Sequence, residues 1–292
     1  MVREIIKIEK EDFPPKLANI KNPPKRLYAI GDISLLYEDS FAIIGTRRIS
    51  EYGIKNCKSF TREFSLRRIV TVSGMALGTD TIVHKETIAS GGKTIAVLGC
   101  GFNQIFPTEN EELFNEIIES GGLVLSEYDE NTKYNKSFFP KRNRIISAIS
   151  EGVLVIEAAY RSGTTITARN SIEQGKRVFA VPGLIGLGVG VGVNNLIKNG
   201  AILSTNIFDI IQFYPQFLNK KRINVSQRTF VKKEYREIYK IIKEKRSYID
   251  EISDKLEMKI SDLVQLLTEM EFEKLICQGS DGRYQIQESS SI

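Results

Sequence analysis

The side chains best suited to chemistry gather in residues 136–144, where Phe138 and Phe139 lie among Lys136, Lys141, Arg142 and Arg144. A cation beside an aromatic ring is the pairing that grips single-stranded nucleic acid, charge for a phosphate and a ring face for a base. Further along, Arg161-Ser162-Gly163-Thr164-Thr165 follows the apolar run Val153–Ile156, and Arg47 follows the run Phe41–Gly45. Gly74 and Gly101 stand after two further apolar runs, where backbone N–H groups left free at strand-to-helix turns suit phosphate. Catalytic signals are weak by comparison. His84, the one histidine, falls inside a helical stretch, and no Ser or Cys stands at nucleophile–base spacing from it. Glu127 and Glu157 end strands and form a faint candidate carboxylate pair. Cys57, Cys100 and Cys277 are scattered, without metal spacing or a disulfide framework, and read as reduced thiols. The expectation is a binding protein with no catalytic residues, metal or cofactor.

These residues need a scaffold that brings loops together. Phe41–Gly45, Ile69–Ser73, Thr94–Gly99, Leu123–Ser126, Val153–Ile156 and Val178–Val181 are short continuous apolar runs, the pattern of strands buried on both faces, with Ala201–Ser204 a further candidate. Helical stretches alternate with them, Ser50 being an N-cap candidate for a helix over 51–67. Pro140 is placed to open the helix that carries Arg142 and Asn143. Such alternation specifies an α/β fold, a Rossmann-like, doubly wound, mostly parallel sheet over residues 38–215. Ligands bind at the carboxyl edge of such sheets, where the loops converge. The glycine-rich span 183–194 reads equally as a ligand-approaching or a surface loop. Residues 1–37, with two Pro-Pro pairs, read as an irregular N-terminal arm packed on the main domain or as the remnant of a longer N-terminal module, and residues 216–233 as a linker. Residues 234–288 hold three helical stretches and a hairpin pattern, the order of a small winged-helix domain. The acids Asp250, Glu251, Asp254, Glu257, Asp262 and Glu269 make that domain a poor partner for duplex phosphate.

The totals agree. The chain has 292 residues, a net charge of +5, 41% hydrophobic and 26% charged residues. These values suit a soluble globular protein and permit an anionic partner. No apolar run reaches bilayer length, and the first residues lack a signal-peptide core, so a cytoplasmic, non-membrane protein is expected.

The segments AIIGTRR, VSGMALGTD-x-x-x-H, GGKTIAVLGCGFNQIFPTEN, SEY, FPKRNRIISAIS, EAAYRSGTTITA, GKRVFAVPG and NNLIKNGA occur in that order across roughly residues 41–213. In this the chain resembles the DNA-processing protein A (DprA/Smf) family. The resemblance implies a single-stranded DNA-binding protein without turnover, which protects the strand and loads the RecA recombinase onto it in natural transformation and recombination. It implies that Arg47 grips phosphate, that Phe139, Arg142 and Asn143 stack on bases and hold the backbone, and that Lys136 contacts DNA. It also implies a homodimer and a RecA-facing surface through Ile172, Ile197, Lys198 and Leu203, with single-strand-binding protein a further candidate partner. The rival reading is a nucleotide-binding or nucleotide-cleaving enzyme, because the sheet and Gly-rich turns suit nucleotide phosphates. Neither G-x-G-x-x-G nor G-x-x-x-x-G-K-[ST] follows the first strand.

Overall fold

The computed structural model describes residues 4–218, 220, 235–272, 275–279 and 281–286. The chain divides into two units, Met1–Arg228 and Thr229–Ile292. The first is built on strands β1 (Ile6–Glu9), β2 (Arg26–Gly31), β3 (Ser40–Ile44), β4 (Val70–Ser73), β5 (Thr94–Leu98), β6 (Leu123–Ser126), β7 (Gly152–Val155), β8 (Arg177–Ala180) and β9 (Ile202–Leu203). They form one sheet in the order β1-β2-β6-β5-β4-β3-β7-β8-β9. From β6 to β9 every pairing is parallel, while β1–β2 and β2–β6 are antiparallel.

Alternation of side chains along β3 and β7 explains the layering. Ala42, Ile44, Val153 and Val155 face one core with Ile145, Ile149 and Ala168. These last come from helices α5 (Phe138–Ala148) and α6 (Gly163–Glu173) and from the residue that ends α5. Phe41, Ile43 and Leu154 face the other core, against Phe60 and Phe64 of α2 (Glu51–Leu66) and Val83 of α3 (Thr79–Ala89). Phe41 stacks on Phe64 at 4.8 Å. Each side chain buried in this way contributes roughly 1.5–3 kcal/mol. Under the β5–β6 side, Leu113, Phe114 and Ile117 of α4 (Glu111–Glu119) complete the cover. The remaining helices of this unit are α1 (Pro15–Ala18), α7 (Gly188–Lys198), α8 (Phe208–Ile211) and α9 (Pro215–Leu218).

Two expectations change. Residues 4–37 are not irregular throughout, since β1 and β2 extend the sheet and Leu17, Leu27 and Ala29 are fully buried. The strands escape a reading by pattern because the edge segment IKIE alternates charge with apolar residues, and its charges pair along the edge, Lys7 with Glu9 and Arg26 with Glu9. The glycine-rich span also orders, for α7 begins at Gly188. Gly183 closes it by donating from N to Asn194 Oδ1 and accepting from Asn194 Nδ2, both at 3.0 Å.

The second unit contains α10 (Arg236–Glu244), α11 (Ile249–Leu256) and α12 (Ile260–Phe272), then strands β10 (Ile276–Gln278) and β11 (Tyr284–Ile286), paired antiparallel. Its own core joins Tyr235, Ile238, Ile252, Leu263, Leu267 and Ile276. Three helices and a hairpin match the winged-helix order. Of the expected linker 216–233, residues 219 and 221–233 lie outside the described residues.

Candidate nucleic-acid interface

The sheet order reverses direction at β3, whose neighbours β4 and β7 open the two halves. The loops after β3 and β7 therefore flank the switch-point crevice. Gly45-Thr46-Arg47 leaves β3, and across the crevice Thr164 Oγ1 donates to the Gly45 carbonyl at 2.9 Å. Gly163 opens α6 with empty space where a side chain would stand. Deeper, buried Glu157 accepts from the Ser50 N–H at 2.9 Å and from Ser50 Oγ at 2.5 Å, while Ser50 Oγ caps α2 by accepting from Gly53 N. Ser50 is thus the N-cap its position implied, and Glu157 locks the start of α2 to the end of β7. Glu127 pairs instead with Arg144 at 2.6 Å, so the two carboxylates serve different partners.

Arg47 is exposed, and its guanidinium carbon lies 5.4 Å from the centre of the Phe139 ring. Among the described residues it pairs with no carboxylate. The Phe139 ring packs on Gly99, where a β-carbon would stand 2.9 Å from a ring carbon. Rings continue outward from Phe139. Phe106 lies 6.0 Å away, and Tyr134 stacks on Phe106 at 3.8 Å with 18° between the planes. On the neighbouring side Tyr128 stacks on Phe138 at 4.1 Å. Helix α5 starts at Phe138, two residues before the Pro140 opening expected, and Asn135 Oδ1 shapes the approach by accepting from Ser137 N and Oγ. Lys133, Lys136 and Lys141 are exposed beside this aromatic group, and Arg161 is exposed over the Tyr160 ring.

Two strand-end loops are zipped together beneath the rings. Gly101 N donates to Thr132 O at 2.8 Å and Asn103 N to Glu130 O at 2.8 Å. A β-carbon on Gly101 would stand 2.1 Å from the Asp129 carbonyl oxygen. Gly101 is therefore where one backbone lies against another, and its N–H is not offered to phosphate. Gly74 is likewise committed. Its N–H supports the Asp80 carboxylate, and a β-carbon there would meet the Arg142 guanidinium at 2.6 Å.

Arg142 requires the main correction. It is 4% exposed, and its Nη1 donates to the carbonyls of Gly74 and Val97. Arg142 lies on the inner side of α5, where the strand-end carbonyls of Gly74 and Val97 reach it. Burial pulls it down to about 10, so it stays charged at neutral pH. The same burial raises Asp80, against the pull of Arg142. His84 is held down to about 3 by burial, with Arg142 adding to it. Its Nδ1 lies 2.8 Å from Thr94 Oγ1, which also reaches Thr71 O at 3.2 Å. The result is a charged polar floor that fixes the loops from below. Asn143 is half-buried and bridges outward, accepting from Arg142 Nε at 3.2 Å and donating weakly to Gly163 O at 3.4 Å. Arg47, Phe139, Lys136, Asn143, Gly163 and Thr164 are thus gathered at one edge, while Arg142, Gly74 and Gly101 are structural.

Sequence reasoning passed over Phe106, Tyr128 and Tyr134. Phe106 stands inside a quoted motif, and Tyr134 stands between Lys133 and Lys136, the same cation–ring alternation that singled out Phe139. The expected self-association residues lie elsewhere on this unit. Ile172 and Leu203 are 59% and 48% exposed, Lys198 is exposed, and Ile197 is half-buried against the first core rather than free. Among the described residues, no helix is long and apolar enough to cross a membrane, and no three His, Cys, Asp or Glu side chains are grouped to hold a metal.

Comparison with known proteins bears on the same unit. The model of the DNA recombination-mediator protein A family matches residues 4–215. Protein Smf of Escherichia coli (strain K12) is 39% identical over 208 residues, 71% of this chain and 56% of that protein. The DNA processing protein DprA of Bacillus subtilis (strain 168) is 39% identical over 212 residues, 72% of this chain and 71% of that protein. The chain is similar in structure to DNA processing protein A from Streptococcus pneumoniae, with a TM-score of 0.68 at 37% identity over 72% of this chain and 74% of that one. The Helicobacter pylori protein, whose structure concerns its single-stranded DNA binding mode, gives 0.66 at 32% identity over 74% of this chain and 97% of that one. All of these matches fall short of the whole chain, and the family match stops before the three-helix unit. The continuous match across the sheet and every loop of the carboxyl edge places the chain in the DNA recombination-mediator protein A family.

Proposed function

We propose that this chain binds single-stranded DNA along the carboxyl edge of its sheet, protects it, and presents it to a RecA-type recombinase, working by binding rather than turnover. The observation that carries the reading is the exposed Arg47 guanidinium over the Phe139 ring at the switch point. A phosphate ligates the cation and a base takes the ring, a combination that tolerates any sequence. The positive end of α6 at Gly163 adds a favourable field for phosphate. The Helicobacter pylori relative, studied for its single-stranded DNA binding, supports the same ligand class. The rival nucleotide-cleaving reading has less support, because the Thr164 hydroxyl and the Gly101 N–H are both spent inside the protein. A cytoplasmic site of action, self-association through the Ile172–Leu203 side, and contacts there with RecA or single-strand-binding protein belong to this proposal.

The test is a titration of labelled single-stranded and duplex DNA at several salt concentrations. Single strands should bind more tightly. Arg47→Ala should weaken binding and reduce the salt slope by about 0.7, the share of one phosphate on a single strand. Phe139→Ala should weaken binding by about 1–3 kcal/mol with the slope retained. Equal affinity for duplex and single strand would falsify the proposal, as would nucleotide hydrolysis lost in Thr164→Ala.

A further inference from the structure

Tyr134 is 46% exposed although one face of its ring is covered by Phe106 at 3.8 Å. The open area therefore belongs to its outer face and edge. Support reaches this ring from behind, since half-buried Phe106 also lies 6.0 Å from half-buried Phe139. Phe139 itself touches Gly99 along one side of its ring, and the Arg47 guanidinium carbon lies 5.4 Å from the ring centre. Of the rings in this row, Tyr134 is the one that is exposed, the others being half-buried. Its surroundings are cationic and polar, for Gln104, Lys133, Asn135 and Lys136 line the same shallow depression. The loop holding it is set in advance by the Gly101–Thr132 and Asn103–Glu130 backbone bonds and by Asn103 Nδ2 donating to Asn131 Oδ1 at 3.0 Å. A ring already ordered loses little freedom when a base stacks on it.

From this we infer that Tyr134, backed by Phe106 and flanked by Lys133 and Lys136, is a second base-stacking platform that extends the strand path outward from Phe139. The ligand is a nucleobase of the same single strand, with its phosphates on the two lysines. The inference rests on the single-stranded DNA reading, and its test separates the two. Tyr134→Leu keeps apolar cover over Phe106 but removes the π-face. It should weaken binding of a deoxythymidine oligonucleotide by about 5- to 150-fold, the range of one lost stack, with the salt slope unchanged. Tyr134→Phe should bind like the wild type. Independently of any variant, photocrosslinking the wild type to an oligonucleotide with one 5-iodouracil at successive positions should label Tyr134 from some positions and Phe139 from others. Unchanged affinity in Tyr134→Leu, or crosslinks confined to Phe139, would overturn the second platform while leaving the DNA reading in place. A wild type without preference for single strands would overturn both.

Discussion

At the scale of the residue, the contrast between Arg47 and Arg142 decides what each can do. Both are arginines near strand ends, yet Arg47 faces solvent and Arg142 is enclosed by backbone carbonyls. Removing Arg142 strips charge-assisted donors from those carbonyls and leaves the buried Asp80 carboxylate without its counter-charge. Arg142→Ala should therefore cost about 3–5 kcal/mol of stability, seen as a lower urea midpoint, rather than the selective loss of DNA affinity and salt slope expected for Arg47→Ala. His84 gives a pH signature. Unfolded, it takes up a proton near its ordinary value of 6.5, but in the fold it resists protonation down to about 3. Between those values the unfolded chain binds more protons, so stability falls as pH falls. The loss should reach about 2 kcal/mol between pH 7 and pH 5, above most carboxylate titrations. Urea melts at the two pH values should show that drop in the wild type and a clearly smaller one in His84→Gln.

At the scale of the element, the site depends on how helices are pinned to strand ends. Ser50 caps α2 and, through its hydroxyl and its N–H, satisfies Glu157 beyond β7. Ser50→Ala removes the cap and one donor to a buried carboxylate. The expected cost is about 2 kcal/mol, from a cap loss near 1 and the remainder from the charged hydrogen bond. Ser50→Thr should recover most of it, and an unchanged urea midpoint in Ser50→Ala would remove Glu157 from this account. Helix α5 is held at its other end, where Lys176 Nζ donates to the carbonyls of Ser147, Ala148 and Ser150. The helix that presents Phe138 and Phe139 is therefore anchored at both termini, and its aromatic end is placed by α5's packing rather than by the loop alone.

At the scale of the molecule, the edge formed by β9 is short, and Leu203 on it and Ile172 on α6 are open to solvent. Isolated apolar side chains on a surface are ordinary, but on an exposed sheet edge they favour pairing with another copy. Self-association through this side would set two DNA clefts on one particle and raise the effective concentration of the second. Light scattering at micromolar concentration should report a dimer for the wild type and a folded monomer with weaker DNA binding for the Ile172→Glu, Leu203→Arg double variant. A dimeric variant would rule out this surface. Ile197 is unsuited to the test, because a charge there would strike the core on which it packs.

The sequence by itself determined the alternation of buried strands and helices, because a strand covered on both faces leaves a continuous apolar run that needs no neighbour to be read. It also determined that Arg47 and Phe139 end up at the carboxyl edge, since both follow strands of that sheet. The helices of the second unit and its hairpin were legible for the same reason, each carrying its own apolar period. Only tertiary structure decided the rest. The edge strands β1 and β2 are held by pairing, not by their own pattern, so residues 1–37 read as irregular until β6 offered a partner. Arg142 and Arg47 look alike along the chain, and only the packing of α5 under the strand ends made one a support and left the other free. Tyr134 became a platform when two loops distant in sequence were zipped together through Gly101 and Asn103. Stacking and burial at a loop are properties of what lies across the gap, and no local spacing encodes that.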